Sequence, residues 1–213
     1  MENETPPQEE KADVKKMERQ AITLIVILLL VLASFIAAYL ILKPKPYFMY
    51  GAMKVYPLRY GESNILIYSF PLTLNMQGES YEAEILMKNS PSIVENISYN
   101  VNESLFNMAK IAFTMDPQMN SRAFLAAKEI SGMAEKLNIP TVFGVSKEAE
   151  NPDLLVFDCQ NSTDMLRIVN FELANETKVF SNESCIIVQG ENYDEMMKAS
   201  DKLVLEWLKL ITK

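Results

Sequence analysis

The chain contains no histidine, and glycine and cysteine are scarce, with six and two residues among 213. The lack of histidine excludes the commonest general base, the Ser-His-Asp and Cys-His catalytic arrangements, and every metal site with an imidazole ligand. The few glycines form neither a GxGxxG pattern nor a phosphate-binding loop, which argues against nucleotide binding by a glycine-rich turn. The sequence therefore predicts no cofactor.

Positive charge is also in short supply. The chain has 20 basic and 28 acidic residues, which gives a net charge of −8, and the part after residue 46 has 14 basic and 22 acidic residues and carries the same net charge. A nucleic-acid-binding protein needs a basic surface that displaces counterions from phosphates. We therefore expect no nucleic-acid partner.

One long hydrophobic run extends over 22 residues, from Ala21 to Leu42, without a charged residue, Asn, Gln, Gly or Pro. As a helix of about 33 Å, it would cross a hydrocarbon core of about 30 Å. A cleaved signal peptide is the alternative, because the run includes the small residues Ala33, Ser34, Ala37 and Ala38. A signal peptide has a shorter apolar region, with its small residues beyond it. The run thus predicts a transmembrane signal anchor over residues 21–42.

Two patterns bear on the orientation of this span. Basic residues are more numerous before the run than directly after it, which favours a cytoplasmic N-terminus. Five Asn-X-Ser/Thr triplets follow the run and are candidate glycosylation sites: Asn96, Asn102, Asn161, Asn175 and Asn182. A surface rich in Asn and Ser would produce the same triplets by chance. We expect the C-terminal part of the chain to lie outside the cell membrane.

These observations divide the chain into four segments. Residues 1–20 have almost no large apolar side chains and are predicted to be a disordered cytoplasmic tail. Residues 21–42 form the span, and residues 43–46, Lys-Pro-Lys-Pro, form a stiff spacer that cannot continue the helix. Residues 47–213 are long enough for one extracytoplasmic domain with its own core.

The first half of this domain reads as β-structure. Strands are predicted over Tyr50–Tyr56 and Ile65–Leu74, and residues 81–88 alternate as the returning strand of a hairpin. A short helical turn follows, with Ser90 as its cap and Pro91 at its first position.

The second half mixes strands and helices. Strands are predicted over residues 110–115, 140–146, 153–159 and 185–190, with shorter antiparallel pieces over 166–173 and 177–181. Helical spacing marks residues 121–138 through Phe124, Ala127, Ile130, Met133, Ala134 and Leu137, and residues 193–213 through Met196, Ala199, Leu203, Trp207 and Leu210. The order predicts an α/β fold, a mixed sheet covered by helices, behind an all-β lead-in.

Two carboxylates are candidate site residues. Asp116 and Asp158 each lie at the carboxyl end of a predicted strand, and open α/β sheets bind ligands at the carboxyl ends of their strands. As a pair they could hold a divalent cation or act as acid and base. Alternatively, Asp116 caps the next segment and Asp158 starts a turn.

Cys159 and Cys185 are the only cysteines, and an even pair in an oxidising exterior suggests a disulfide. The bridge forms if the chain between them reverses. If their two strands ran side by side and parallel, the sulfurs would be too far apart. Two buried free thiols are the alternative.

Residues 157–211 contain a Cys-X-Asn-Ser start, a Cys-Ile-Ile strand and a helix with the pattern AxDKLxLxxL. This segment resembles the C-terminal part of uncharacterised single-pass archaeal membrane proteins, and an AAKEIS helix after an Asp-Pro turn extends the similarity over residues 47–211. The resemblance implies no activity. Archaeal pilin-like subunits also begin with a hydrophobic helix, but KKMERQAITL lacks their Lys/Arg-Gly cleavage motif.

The sequence as a whole predicts a non-catalytic envelope protein, anchored in the lipid bilayer through residues 21–42, whose outer domain binds or organises another envelope protein or a glycan. A membrane-anchored, carboxylate-dependent, hydrolase-like enzyme is the first alternative. A pilin-like structural subunit is the second.

Overall fold

The computed structural model describes residues 8–43, 46–61, 65–76, 78–149, 151 and 153–212. The chain divides into two compact units, Met1–Lys45 and Pro46–Lys213.

The first unit is built around helix α1, Gln8–Leu42. Its stretch Met17–Leu40 has 24 residues with a mean hydropathy of 3.0 and no buried residue, so α1 is long and apolar enough to cross a membrane. The disorder predicted for residues 1–20 is not found in residues 8–20, which are helical. Glu, Lys and Ala in this segment favour helix. The segment also continues the helix of the apolar run, so no separate nucleation step is needed. Residues 1–7, 44 and 45 lie outside the described residues.

The second unit begins with a four-stranded antiparallel sheet, the small sheet. Its strands β1 (Phe48–Tyr50), β2 (Met53–Tyr60), β3 (Ile65–Met76) and β4 (Glu79–Met87) are ordered β1-β2-β3-β4. The predicted hairpin is confirmed, because β3 and β4 pair antiparallel with Phe70 opposite Ile85. The strand predicted over residues 50–56 is wrong in its start, since Gly51 turns the chain there with a φ of +57°, a conformation that favours glycine.

A short connection follows the small sheet. Helix α2 (Pro91–Val94) has the predicted proline at its start, but Ser90 makes no side-chain capping bond. Its hydroxyl lies 2.9 Å from the Ser92 hydroxyl instead. Strand β5 (Ser98–Asn100) was not predicted, because three residues are too few for a visible alternation.

The large sheet has six strands in the order β5-β9-β10-β8-β6-β7. The additional strands are β6 (Lys110–Met115), β7 (Thr141–Val145), β8 (Leu166–Leu173), β9 (Lys178–Asn182) and β10 (Cys185–Gly190). Strand β8 is parallel to both β6 and β10, so the antiparallel piece predicted for residues 166–173 is wrong. The strand predicted over residues 153–159 is also wrong, because that segment forms only one bridge, between Val156 and Val145.

Helices α3 (Ser121–Lys136) and α4 (Tyr193–Ile211) lie between the two sheets. Both helices contact the large sheet, and α3 also contacts β4. Asn89, two residues after the end of β4, donates a hydrogen bond from its side-chain amide to Asp201 of α4. One continuous core joins buried residues of all three layers, such as Phe70 in β3, Leu203 in α4 and Val188 in β10. The domain is therefore mixed α/β, with two separate sheets.

The other face of the large sheet has no helix in the described part of the chain. A smaller apolar cluster there, Ala112, Ile168, Cys185 and Ile187, is covered in part by Phe157 and Cys159. Residues 155–159 reach this cluster from the edge of β7, where the amide of Phe157 donates to the carbonyl of Val145. A connecting segment thus replaces the strand that the apolar run predicts.

Candidate functional site

Asp116 lies directly after β6 and holds the turn that leads to α3. Its Oδ1 accepts a hydrogen bond from the amide of Gln118 at 2.9 Å, and its Oδ2 lies 2.7 Å from Nζ of Lys147. The hydrogen bond from Lys147 and then that from Gln118 hold the pKa of this carboxyl below its usual value. Asp116 is therefore an ionised turn residue with both oxygens engaged.

Asp158 is exposed and caps a short 3-10 turn, Cys159–Asn161. Its Oδ1 accepts from the amides of Gln160 and Asn161, at 2.9 and 3.2 Å, while Oδ1 of Asn161 accepts from the amide of Asp158. Within the described part of the chain, the hydrogen-bond and ion-pair partners of Asp158 differ from those of Asp116. Within the described residues, no three His, Cys, Asp or Glu side chains form a group that could hold a metal ion.

Cys159 and Cys185 form a disulfide, with an S–S distance of 2.10 Å and Cα atoms 5.2 Å apart. The predicted pair is thus present, through an arrangement that the sequence did not indicate. Cys159 lies in the turn before β8 rather than at the end of a strand, and Cys185 begins the parallel neighbour β10. Both cysteines therefore lie near the N-terminal ends of the parallel strands β8 and β10, where Ser162 also donates to the carbonyl of Ser184 at 2.6 Å.

The five glycosylation candidates after the span, Asn96, Asn102, Asn161, Asn175 and Asn182, are all exposed. The side-chain oxygens of Asn102 and Asn161 accept backbone hydrogen bonds, which leaves their amide nitrogens outside those bonds. A sixth triplet, Asn3-Glu4-Thr5, precedes the span. The triplets therefore occur on both sides of the apolar run, and glycosylation stays a prediction that rests on exposure.

A buried carboxylate that the sequence did not reveal lies in the middle layer. Asp201 of α4 is 0% exposed, and its Oδ2 accepts bonds from the backbone and side-chain nitrogens of Asn89, both at 2.8 Å. Its Oδ1 is buried without a hydrogen-bond partner in the described structure. Burial raises the pKa of Asp201 to about 7, with a smaller contribution from Glu129 in the same direction, while the Asn89 bonds and Lys88 oppose it.

A second buried charge lies one residue further along. Nζ of Lys202 donates to the carbonyl of Glu95 at 3.0 Å and lies 2.9 Å from Oε1 of Glu206. Lys209 donates to the same Glu206 oxygen at 2.8 Å. Burial alone would raise the pKa of Glu206, but the bonds from Lys209 and Lys202 outweigh it and lower the pKa. These contacts fix α4 against the chain after α2, which is a structural role.

A groove runs between β4 and the second half of α3. It consists of two hollows, of about 330 and 150 Å³, which share Lys136. We call it the β4–α3 groove and define it by Glu82, Glu84, Lys128, Gly132, Glu135 and Lys136. The one sequence signal that could have marked it is Gly132, a glycine inside a helical pattern.

No protein-family model, curated protein or solved structure matches this chain. The likeness to single-pass archaeal membrane proteins therefore stays a prediction from the residues that suggested it.

Proposed function

We propose that this protein is a membrane-anchored, non-catalytic component of the cell envelope, whose outer domain binds or organises another surface protein or a glycan. The observation that carries the proposal is the exposure of the apolar side chains of α1, for example 66% at Leu24 and 67% at Leu40. Each large apolar side chain left in water forgoes about 1.5–3 kcal/mol. Lipid is the solvent that removes this cost over 24 consecutive residues.

Two observations support an outer location for residues 46–213. The Cys159–Cys185 disulfide is of a kind that persists in oxidising compartments. The five asparagine acceptors after the span are exposed, as a modifying enzyme requires. Together with the basic residues before the span, these features favour a cytoplasmic N-terminus.

The placement of the two candidate carboxylates supports binding rather than catalysis. Asp116 pairs with Lys147 and Asp158 caps a turn, so each carboxylate has a local structural task. The β4–α3 groove, in contrast, combines a strand edge with exposed charges of both signs, which is a surface suited to contacts with another polypeptide.

Photo-crosslinking in intact cells tests this proposal. A photoreactive amino acid is placed singly at three exposed positions of the full chain, Lys136, Leu155 and Asn175, and the adducts are identified by mass spectrometry. We expect a discrete adduct with one envelope component from at least one position. Adducts only with cytosolic proteins, or none from any position, would contradict the proposed function.

A further inference from the structure

The sheet edges of this domain differ in how far they are open to another strand. Strands β1 and β5, at two of the edges, have three residues each. At β7, a third edge, the amide of Val145 donates to the carbonyl of Leu155 at 2.8 Å. Strand β4 has nine residues, a length of about 30 Å, and no described strand pairs with its outer edge.

A free antiparallel edge presents backbone donors and acceptors at alternate residues. Natural proteins usually shorten or cover such an edge, because another chain can pair with it. The described part of the chain does not cover the edge of β4 in this way. This edge lies beside the β4–α3 groove, whose hollows are next to Tyr81, Ala83 and Ile85. The edge of β4 is therefore open to solvent along residues 81–85.

Gly132 is the second observation. It lies inside α3, where glycine costs about 1 kcal/mol relative to alanine, and its φ is not in the left-handed region. A Cβ atom added there would meet no atom within 4 Å, so packing within the domain does not explain the glycine. Because Gly132 has no side chain, α3 leaves space in the hollow that Ile85 also lines.

The net charge of the groove indicates which strand fits, because four carboxylates and two lysines line it: Glu82, Glu84, Glu129, Glu135, Lys128 and Lys136. Glu82 and Glu84 are exposed on the outer face of β4, where one oxygen of Glu84 also accepts a hydrogen bond from Ser69, and strand residues two apart share a face. Directly opposite residues of a neighbouring strand lie within contact distance, so two basic residues two apart would face these carboxylates. On the inner face, Ala83 and the buried Ile85 call for small apolar residues.

We propose that the β4–α3 groove binds an extended segment of another envelope protein, with alternating basic and apolar residues, which adds as a fifth strand to the edge of β4. This inference rests on the proposed function and specifies the partner's chemistry. A second copy of the same edge fits less well, because it would bring the same carboxylates, Glu82 and Glu84, into the contact.

The direct test uses the full chain in nanodiscs of zwitterionic lipid, which avoids attraction of a basic peptide to the bilayer. The probe is a fluorescent, end-blocked peptide of sequence TVKVKVT, and binding is followed by anisotropy. We expect saturable binding that is at least tenfold weaker for TVEVEVT and for a TVKVKVT analogue N-methylated at alternate residues. Absence of binding to the unmodified chain would overturn the proposal, as would equal binding of all three peptides.

Variants locate the binding. The double variant Glu82→Lys/Glu84→Lys and the single variant Gly132→Leu should each weaken binding at least tenfold. Gly132→Ala and the charge-matched Asp153→Lys/Glu191→Lys, whose residues lie outside the groove, should stay within about twofold of the unmodified chain. Unchanged binding by Glu82→Lys/Glu84→Lys would overturn the proposal even if Gly132→Leu fails to fold. A peptide-independent dimer that Glu82→Lys/Glu84→Lys abolishes would also overturn it, in favour of a second copy.

The crosslinking experiment separates this inference from the proposed function. An envelope adduct from Leu155 or Asn175 without one from Lys136 would leave the proposed function standing and reject the groove. An adduct from Lys136 that Gly132→Leu removes and Gly132→Ala retains would support both.

Discussion

The carboxyl group of Asp201 is the most unusual residue-scale feature of the domain. It is fully buried, yet among the described residues only one of its two oxygens has hydrogen-bond partners, both of them nitrogens of Asn89. The charged groups that act on it from neighbouring elements are Lys88, beside β4, and Glu129 of α3, which pair with each other at 3.4 Å. An ionised carboxylate at this place is unfavourable, because the burial of its charge outweighs the two hydrogen bonds from Asn89.

This burial predicts a dependence of stability on pH. The Asp201 pKa rises from 3.8 to about 7 on folding, so the folded chain binds the proton more tightly and is stabilised by it. That stabilisation, on the order of 4 kcal/mol for such a shift, is present below pH 4 and lost as the pH rises through 7. We expect Asp201→Asn to unfold at a higher temperature than the unmodified chain at pH 8, and to vary less between pH 5 and 8.

The measurement is thermal unfolding followed by the fluorescence of the single tryptophan, Trp207, which is buried in α4. Asp194→Asn is the matched control, since Asp194 is an exposed carboxylate on the same helix. Equal pH profiles for Asp201→Asn and the unmodified chain would contradict this assignment.

Helical spacing identified the core residues of α4 that face the large sheet, including Met196, Ala199 and Leu203. It did not identify Asp201 and Lys202 as buried. A pattern of this kind assumes one buried face, whereas α4 contacts the large sheet and also the connection around α2, from Asn89 to Glu95. The charged residues on its second face are buried by a long-range contact that no local pattern encodes.

At the scale of elements, the segment over residues 155–159 takes the place of a strand. It passes so close to β7 that a Cβ atom on Gly144 would lie 2.4 Å from the carbonyl oxygen of Leu155 and 2.7 Å from the Phe157 ring. Glycine at this position is therefore required by packing.

Two glycine substitutions should have opposite effects. Gly144→Ala is expected to destabilise the domain by about 1–3 kcal/mol through overpacking. Gly132→Ala is expected to stabilise it by up to about 1 kcal/mol, because alanine favours helix and has open space there. Unfolding midpoints from Trp207 fluorescence measure both, and a loss of stability in Gly132→Ala would refute the open geometry of the groove wall.

The Cys159–Cys185 disulfide fixes the C-terminal end of the segment 155–159. Removing it in the double variant Cys159→Ala/Cys185→Ala should cost about 3 kcal/mol, the chain-entropy value for a bridge with a sequence separation of 26 residues. Alkylation with mass spectrometry should find no free thiol in the purified chain and two after reduction in denaturant. Two thiols labelled without reductant would contradict the bridge.

Strands were predicted correctly where a short run of apolar residues is buried. The direction of strand pairing was not, because it depends on contacts with residues that are distant in the chain. Lys110–Met115 and Cys185–Gly190 form strands with the predicted bounds. The alternation in Leu166–Leu173 does not reveal that its neighbours, β6 and β10, are both parallel. The apolar run Leu154–Phe157 has strand composition, but it crosses the edge of β7 instead of extending the sheet.

For the whole molecule, the amino-acid composition of a segment predicted its structure better than the spacing of its apolar residues did. The apolar stretch inside α1 follows from the sequence directly, whereas the extension of the helix back to Gln8 does not. The β4–α3 groove does not, because it arises where two elements about 50 residues apart in the chain come together. The candidate carboxylates Asp116 and Asp158 were chosen by their place at the carboxyl ends of predicted strands, and only one of those strands is present among the described residues.

The central claim is that α1 anchors the chain and leaves residues 46–213 outside. Protease treatment of intact spheroplasts that express the full chain with a different epitope at each end tests it most directly. We predict that the C-terminal epitope is lost without lysis, while the N-terminal epitope is retained on a membrane-bound fragment. A C-terminal epitope that survives until the spheroplasts are lysed, or a chain recovered in the soluble fraction, would contradict the account.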